Sequence, residues 1–274
     1  MNNDFDILIK KAFAEDFGDI GDVTSSAIFS NEKDDYYLLS KDEGTLCGID
    51  FFKKVFLKLD EDIELKLFKK DGEKIKNGEI IATIFGKVKS VLKAERTALN
   101  LLSHLSGIAS ETAKFVQKTN GKTKILDTRK TLPTLRKLQK YAVKCGGGEN
   151  HRMGLFDLAM IKDNHIDAAG GIENAVRKVR EKWNGKIEVE TRNLAEVKIA
   201  LNCGVGRIML DNMDNKLLQK AVKIIGGKAE TEASGNMNLE RIAAVSKTGV
   251  DYISVGELTH SVTAFDFSLK RGKK

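Results

Sequence analysis

Residues 128–165 contain seven side chains that could bind an anion or exchange protons with it. They surround a run of three glycines at 146–148. They are Arg129, Lys130, Arg136, His151, Arg152, Lys162 and His165. Guanidinium and ammonium groups form charge-assisted hydrogen bonds with carboxylates and phosphates, and glycine leaves the backbone free to approach a ligand. The segment therefore predicts a pocket for a small polyanion.

The elements that must position this cluster are short apolar runs that recur from about residue 123 onward, with amphipathic helical stretches between them. The runs cover residues 124–127, 158–162, 187–191, 207–211, 229–234 and 252–256. Repeated βα units predict a parallel α/β barrel, in which functional groups lie at the carboxyl ends of the strands. Polar or small residues stand at these ends: Arg129 with Lys130, Lys162, Glu190, Asp211, Ser234 with Gly235, and Gly256. Buried strands end in polar turns in any case, but ends that carry complementary charge favour one shared pocket.

Two late loops and two carboxylates extend the predicted site. The loops at 232–236 and 254–258 each place a glycine after a strand, where backbone N–H groups can approach a phosphate. Glu190 and Asp211 stand on neighbouring strand ends in an otherwise cationic setting, which suits Mg²⁺ or sugar hydroxyls. Simple charge balance with Arg and Lys is the alternative that the residues leave open.

Residues 1–110 lack the βα rhythm and predict a separate α+β layer. An amphipathic helix is expected over 5–15, and strands over 36–41, 63–68 and 80–85. Apolar residues then recur at helical spacing between Ser90 and Val116, which predicts a long helix joining the two parts. Arg96 lies in that helix, where an ordinary surface ion pair is the default interpretation.

The composition is typical of a cytoplasmic globular protein. The net charge of +7 comes from lysines mixed with acidic residues in a chain of 274 residues, and no nucleic-acid-reading motif accompanies it. Solubility therefore explains the charge better than nucleic-acid binding does. The three cysteines lack CxxC spacing, which argues against a disulfide framework or structural zinc and favours a reducing cytosol. No apolar run approaches the ~18 residues of a membrane span, so no membrane partner is expected.

Several strings of the chain closely resemble the quinolinate phosphoribosyltransferase family, also called carboxylating nicotinate-nucleotide pyrophosphorylases. They are ERTALNLLSHLSGIA, LDTRKT, KYAVKCGGGENHRMGL, IKDNHI, IEVE, IMLDNM, EASGN and DYISVGELTHS. They occur in the family's order and span nearly the whole chain. The resemblance is therefore specific.

This resemblance implies an α/β fold with an amino-terminal α/β sandwich over residues 1–110, joined by the tail 263–274. An incomplete α/β barrel of about six parallel strands is implied over residues 111–262. The resemblance also implies a homodimer whose active sites borrow residues across the interface. The implied reaction takes quinolinate and phosphoribosyl pyrophosphate, with Mg²⁺, to nicotinate mononucleotide, pyrophosphate and CO₂ in NAD biosynthesis.

The family's site residues carry over to matching positions in this chain. Arg129, Arg152 and Lys162 would hold the quinolinate carboxylates, with Thr128, Lys130 and His151 close by. Arg96 would reach in from the partner subunit, and Glu190 and Asp211 would serve the metal and the ribose. Lys130, Lys162, Glu190 and Asp211 are the expected catalytic residues. The 5′-phosphate end would be lined by Ser234, Gly235, Asn236, Gly256, Glu257, Leu258 and His260.

The chain departs from the family pattern in two places. Leu132 and Thr134 stand where the family often has Thr and Gly, and Glu257 replaces a small residue. The Glu257 side chain is expected to point away from the phosphate, because repulsion would otherwise weaken binding.

Three other functions compete with this interpretation. An isomerase or lyase acting on a phosphorylated sugar would share the phosphate loops, but it would need a clear general acid and base. A related transferase could act on a different aromatic acid, since fold does not fix substrate. A nucleic-acid binder is suggested by the basic balance alone.

Overall fold

A computed structural model describes residues 2–119 and 121–272. They form two compact units. The first contains the described residues up to Ser110 together with those from Val262 onward, and the second runs from Glu111 to Ser261. Over the described residues, no helix is both long enough and apolar enough to cross a membrane.

The described elements are as follows. The helices are α1 (Asn2–Phe17), α2 (Val23–Ile28), α3 (Ile49–Leu59), α4 (Val88–Lys118), α5 (Arg136–Cys145), α6 (Asp163–Ala169), α7 (Ile172–Arg180), α8 (Leu194–Asn202), α9 (Asn215–Ile225), α10 (Leu239–Ser246) and α11 (Glu257–His260). The strands are β1 (Lys33–Ser40), β2 (Gly44–Thr45), β3 (Glu64–Leu67), β4 (Lys74–Ile75), β5 (Ile80–Lys87), β6 (Lys124–Leu126), β7 (Ala159–Ile161), β8 (Ile187–Thr191), β9 (Arg207–Asp211), β10 (Glu230–Ser234), β11 (Tyr252–Ser254) and β12 (Phe267–Arg271).

The second unit is an open parallel barrel. Its six strands lie in the order β6-β11-β10-β9-β8-β7, and each neighbouring pair is parallel. The first strand therefore lies beside the last, as in a closed barrel, while no pairing of β6 with β7 occurs among the described residues. The predicted incomplete barrel is confirmed, and its predicted strands agree with the observed ones to within two residues at either end.

Alternation along the central strands divides polar from apolar side chains. In β8, β9 and β10, residues such as Val189, Ile208 and Ala233 share one face and are fully buried. The residues between them point to the other face, because successive side chains in a strand alternate. That second face carries Glu188, Glu190, Arg207, Met209, Asp211, Glu230, Glu232 and Ser234. The strands therefore present charged groups on one face of the sheet.

The first unit contains a four-stranded antiparallel sheet in the order β12-β1-β5-β3, together with the small β2-β4 pair. Strand β12 joins late in the chain and pairs with β1 from Tyr36 opposite Arg271 to Ser40 opposite Phe267. The long helix predicted from apolar spacing is α4, which buries Val91, Ala94, Ala98, Leu102 and Leu105.

Candidate active site

A cavity of about 880 Å³ opens at the carboxyl ends of the barrel strands, where the sequence predicted a pocket. Most of the predicted site residues line it: Thr128, Arg129, Lys130, His151, Arg152, Lys162, Glu190, Asp211, Ser234, Gly235, Asn236, Gly256, Glu257 and His260. Leu258 instead lies buried in α11. Arg96 lies on α4 in the first unit with an exposed side chain, so a role across a subunit interface stays a prediction.

The strand order arranges these residues by charge. Lys162 follows β7, Glu190 lies near the end of β8 and Asp211 ends β9, so a cation is followed by two carboxylates. The glycine loops after β10 and β11 come next, and Arg129 and Lys130 after β6 close the series. The cavity therefore has a cationic side, a carboxylate side and a glycine-rich side.

The cationic side contains three cations that form no ion pair with the described residues. Among the described residues, no carboxylate oxygen lies within 4 Å of the side-chain nitrogens of Arg129, Lys130 or Arg152. Arg152 donates one side-chain hydrogen bond to the carbonyl of Leu158, at 3.0 Å. Burial, and then the charge of Arg129, lower the pKa of Arg152. A bound carboxylate would relieve this repulsion.

The carboxylate side offers oxygen ligands to a cation. Lys162 Nζ lies 3.1 Å from Glu190 Oε2, and the Glu190 side chain is largely buried. Asp211 accepts a hydrogen bond from the amide of Asn212 at 2.7 Å and has no ion pair with any described residue. Two carboxylates on adjacent strands are a donor set that suits Mg²⁺, which is commonly held by one or two carboxylates plus substrate phosphates.

Two loops with left-handed backbone lie where the carboxylate side meets the glycine-rich side. The β9 loop, residues 211–214, contains Asn212 at φ 53°, and the β10 loop, residues 234–238, contains Gly235 at φ 95° and Asn236 at φ 48°. Asn212 N donates to Ser234 O at 3.0 Å, and Asn236 Nδ2 donates to Asn212 Oδ1 at 3.4 Å. A Cβ on Gly235 would overlap Asn212 Oδ1, so close packing of the loops requires glycine there.

Lys130 lies where the cationic and glycine-rich sides meet. Its carbonyl accepts from the hydroxyl of Thr259 at 2.8 Å, which ties the loop after β6 to α11. A Cβ built on Gly256 would come within 3.2 Å of both Lys130 and His260. Glycine at 256 therefore leaves room for two basic side chains beside the α11 loop.

His151 is almost completely buried at the edge of the cavity, against two buried carboxylates. Its Nε2 lies 3.0 Å from Glu188 Oε2 and 3.4 Å from Glu232 Oε2. Burial lowers the pKa of His151, but the two carboxylates outweigh it and raise that pKa to about 9. The N–H of Arg152 opposes this effect because it donates to Nδ1 at 2.7 Å and thus requires an unprotonated Nδ1. The ring is therefore held between a backbone donor at Nδ1 and two buried carboxylates near Nε2.

The carboxylates beneath His151 are held by an internal cation. Arg207 lies 3.0 Å from Glu232 and 4.0 Å from Glu188, and Ser254 donates to Glu232. Burial, and then the charge of Glu232, raise the pKa of Glu188. The ligand atoms of His151, Glu188 and Glu232 lie within 4.8 Å of one another, but Arg207 already supplies the positive charge, so we assign no metal there.

A buried ion pair fixes the backbone of His151. Asp127 accepts from Lys140, from the amide of Asn150 at 2.6 Å and from the N–H of His151 at 2.9 Å. Lys140 also donates to the carbonyl of His151 at 3.1 Å. Burial raises the pKa of Asp127 and lowers that of Lys140. Both peptide groups of His151 are therefore anchored.

Sequence reasoning overlooked these supporting residues. Two basic residues of the opening cluster instead brace loops: Arg136 donates to Thr131 and to the Met153 carbonyl, and His165 Nδ1 accepts from the N–H of Lys162. Glu188 and Glu232 could have been noticed because each is a charge inside an otherwise buried strand. Nothing local marks Lys140, which sits on an amphipathic helix like any surface lysine.

An open parallel barrel that joins an uncompensated cationic pocket, paired carboxylates and glycine loops at its strand ends defines a class of enzyme that handles small phosphorylated and carboxylated substrates. Models of the quinolinate phosphoribosyl transferase C-terminal and N-terminal domains match residues 108–270 and 22–106. The chain belongs to the quinolinate phosphoribosyltransferase family.

The similarity to individual relatives covers nearly the whole chain. The chain is 43% identical to the nicotinate-nucleotide pyrophosphorylase [carboxylating], chloroplastic, of Arabidopsis thaliana, covering 97% of this chain and 82% of that protein. It is also 43% identical to the probable nicotinate-nucleotide pyrophosphorylase [carboxylating] of Bacillus subtilis (strain 168), covering 96% and 91%. The structure of the nicotinate-nucleotide pyrophosphorylase from Francisella tularensis superposes with a TM-score of 0.96 at 42% identity, covering 99% and 97%.

Proposed function

We propose that this enzyme transfers the phosphoribosyl group of phosphoribosyl pyrophosphate to the ring nitrogen of quinolinate and releases CO₂. The products are nicotinate mononucleotide, pyrophosphate and CO₂, in the de novo synthesis of NAD. The observation that carries this proposal is the order of groups around the cavity. Cations without an ion-pair partner, two neighbouring carboxylates and glycine-containing loops line one cavity in an order that would suit the joined substrates.

Quinolinate would lie on the cationic side. Arg129 and Arg152 have no acidic partner within 4 Å among the described residues, and Lys162 has only Glu190, so two substrate carboxylates would balance charge that the fold leaves open. Arginine binds a carboxylate through a planar pair of N–H groups, which fixes orientation as well as position. The pyridine nitrogen would thereby be held facing the ribose.

Phosphoribosyl pyrophosphate would lie across the carboxylate and glycine-rich sides. The β10 loop and the loop around Gly256 would receive the 5′-phosphate through backbone N–H groups and the hydroxyl of Ser234. Lys130, beside Gly256 and His260, would balance phosphate charge. Positioning of this kind converts a reaction between two molecules into one within a single complex.

Glu190 and Asp211 would hold Mg²⁺, since both line the cavity and Asp211 has no cationic partner among the described residues. When bound, the metal would supply positive charge to the departing pyrophosphate. Asn212, which donates to Asp211 at 2.7 Å, would keep that carboxylate oriented.

The reaction needs no side-chain nucleophile. The pyridine nitrogen attacks C1 of the ribose, a new N–C bond forms, and the C–O bond to pyrophosphate breaks. The C2–carboxylate bond then breaks and releases CO₂, and the electron pair stays on C2, where the adjacent positive nitrogen stabilises it until a proton is added. Lys130 and Lys162 would act by charge stabilisation rather than by covalent chemistry.

The proposal extends to the assembly and its compartment. A homodimer is implied by the family resemblance, and two adjacent apolar side chains, Leu155 at 72% and Phe156 at 76% exposure, would suit burial at its interface. A cytoplasmic location is supported by the cysteine pattern, because the three cysteines lack the spacing of a disulfide framework. Plant relatives carry chloroplastic or mitochondrial in their names.

The test combines quinolinate, phosphoribosyl pyrophosphate and Mg²⁺ with purified protein and detects nicotinate mononucleotide by mass. Formation of the nucleotide at a rate proportional to enzyme supports the proposal, and its absence would reject the activity. Treatment with a chelator should stop turnover and added Mg²⁺ should restore it, whereas full activity in chelator would remove the metal from the proposal while leaving the transfer reaction intact.

A further inference from the structure

Arg241 holds together two loops of the active site without lining the cavity itself. It is the third residue of α10, and its guanidinium donates to Gly235 O and to Met213 O, each at 2.7 Å. Gly235 belongs to the β10 loop and Met213 to the β9 loop. One side chain therefore joins the loop that follows Asp211 to the loop that follows Ser234.

Arg241 occupies an electrostatically unfavourable position in its helix. A cation in the first turn of a helix faces the positive end of the helix dipole, where acidic residues are preferred. Its own N–H is already capped by Asn238 Oδ1 at 3.0 Å, so the side chain is not needed to begin the helix. The two carbonyl bonds are the interactions that offset the charge.

The loops that Arg241 joins have backbones that need support. Asn212 and Asn236 have positive φ angles of 53° and 48°, which cost free energy in a residue with a side chain and persist only where the surroundings fix them. On the cavity side the loops meet through Asn212 N and Ser234 O at 3.0 Å. Arg241 adds two further bonds, to carbonyls that accept no backbone hydrogen bond from the described residues.

We propose that Arg241 is a positioning residue that sets the spacing between the metal-binding carboxylate Asp211 and the phosphate-binding β10 loop. The inference rests on the proposed function, because that function places the two ends of phosphoribosyl pyrophosphate on these two loops. Quinolinate would lie on Arg129, Arg152 and Lys162, none of which belongs to either loop. Loss of the two Arg241 hydrogen bonds should therefore weaken the binding of phosphoribosyl pyrophosphate and leave the binding of quinolinate unchanged.

The test compares Arg241→Ala with Arg180→Ala. Arg180 is the matched control, since it also donates to a loop carbonyl, Gly204 O at 3.0 Å, but before the amino end of β9 rather than after its carboxyl end. We expect Arg241→Ala to raise the KM for phosphoribosyl pyrophosphate about tenfold or more, because small displacements of positioning groups have effects of this size. The dissociation constant of quinolinate, measured by calorimetry without the second substrate, should stay within about twofold of wild type. Arg180→Ala should leave both values unchanged.

Arg241→Lys separates the geometry from the charge and serves if the alanine variant does not fold. Lysine keeps the positive charge but lacks the fixed fork that spans two carbonyls, so an intermediate KM is expected. A wild-type KM in Arg241→Lys, an unchanged KM in Arg241→Ala, or a parallel loss of quinolinate affinity would each overturn the proposal.

A binding measurement with ribose 5-phosphate distinguishes failure of this inference from failure of the proposed function. In one outcome, wild-type protein forms no nucleotide but binds ribose 5-phosphate, with binding weakened about tenfold by Arg241→Ala and not by Arg180→Ala. That result would support the role of Arg241 and reject the proposed reaction. If the wild-type protein turns over and Arg241→Ala binds ribose 5-phosphate normally, the role of Arg241 is rejected and the proposed reaction is supported. If wild-type protein neither turns over nor binds ribose 5-phosphate, both fall.

Discussion

At the scale of single residues, the proposed function assigns the selectivity for a dicarboxylate to Arg129 and Arg152, which both line the cavity. Neither has a carboxylate within 4 Å among the described residues, and the charge of Arg129 contributes to lowering the pKa of Arg152. A ligand with two carboxylates removes more of this repulsion than a ligand with one. If the proposed function holds, the substrate with more carboxylates should therefore bind this site with the more favourable free energy.

Nicotinate, which lacks one carboxylate of quinolinate, should consequently be a poor substrate. We expect its kcat/KM to be about tenfold to a hundredfold lower, which corresponds to the loss of one charge-assisted hydrogen bond. The comparison requires initial rates for both acids at saturating phosphoribosyl pyrophosphate. Equal specificity constants would contradict the dicarboxylate assignment.

The Asp127–Lys140 pair should be a strong determinant of stability. Lys140→Met leaves the fully buried Asp127 without its cation, and removing one partner of a buried pair costs about 3–5 kcal/mol in the free energy of unfolding. Lys114→Met, in the exposed pair with Glu111, should cost below about 1 kcal/mol. Denaturant unfolding of the two variants beside wild type measures both values, and equal losses would show that burial does not govern the pair.

Sequence reasoning identified the residues that line the cavity more readily than the buried residues that support them. Arg129, Lys162 and Asp211 stand at strand ends, where a local pattern marks them. Arg207 and Lys140 act through partners on other strands or loops, so their role depends on pairings that become visible only in the folded sheet.

At the scale of elements, the proposed function makes substrate binding depend on the backbone conformation of the β9 and β10 loops. Their left-handed residues allow close approach, and Gly235 is where a side chain cannot fit beside Asn212. Phosphate binding should therefore depend on a glycine that contributes no side chain.

Gly235→Ala should raise the KM for phosphoribosyl pyrophosphate about tenfold or more by pushing the β9 loop away. Gly227→Ala is the control, because Gly227 also has a positive φ, 74°, but a Cβ at that position would meet no other atom within 4 Å. Both variants should lose stability, by about 1–2 kcal/mol, from the left-handed backbone. Steady-state kinetics measures the KM, and thermal unfolding measures the stability. An equal rise in KM in the two variants would contradict the role of Gly235.

The barrel strands could be predicted because apolar runs and polar ends are local features. The observed bounds of β8 and β9 coincide with the predicted ones. Strand β12 gave no comparable signal, because it is defined by pairing with β1, which lies near the other end of the chain. Helix α3 was likewise absent from the prediction, since its run of phenylalanines could equally be a buried strand.

At the scale of the whole molecule, the role of Arg96 decides whether an active site is formed by one subunit or by two. It lies in the first unit and is exposed, whereas the residues that line the cavity belong to the second unit. The resemblance to the family places it in the partner's site. The alternative is an ordinary charge on the surface of α4.

Mixing two inactive variants tests this directly. Arg96→Ala and Lys162→Ala should each be nearly inactive, and subunit exchange between them should restore about a quarter of wild-type activity. The reason is that about half of the dimers are mixed and each mixed dimer contains one intact site of two. Exchange must be shown independently, for example by mass. Absence of recovery despite exchange would place Arg96 outside the partner's site.

The most direct test of the central claim follows the two carboxylates of quinolinate separately. Quinolinate labelled with ¹³C in the carboxylate beside the nitrogen is incubated with phosphoribosyl pyrophosphate, Mg²⁺ and the enzyme, and both the nucleotide and the gas are analysed by mass. Transfer to the ring nitrogen followed by loss of the adjacent carboxylate predicts unlabelled nicotinate mononucleotide and one labelled CO₂ per nucleotide. A nucleotide that retains the label, or labelled CO₂ without nucleotide, would contradict it.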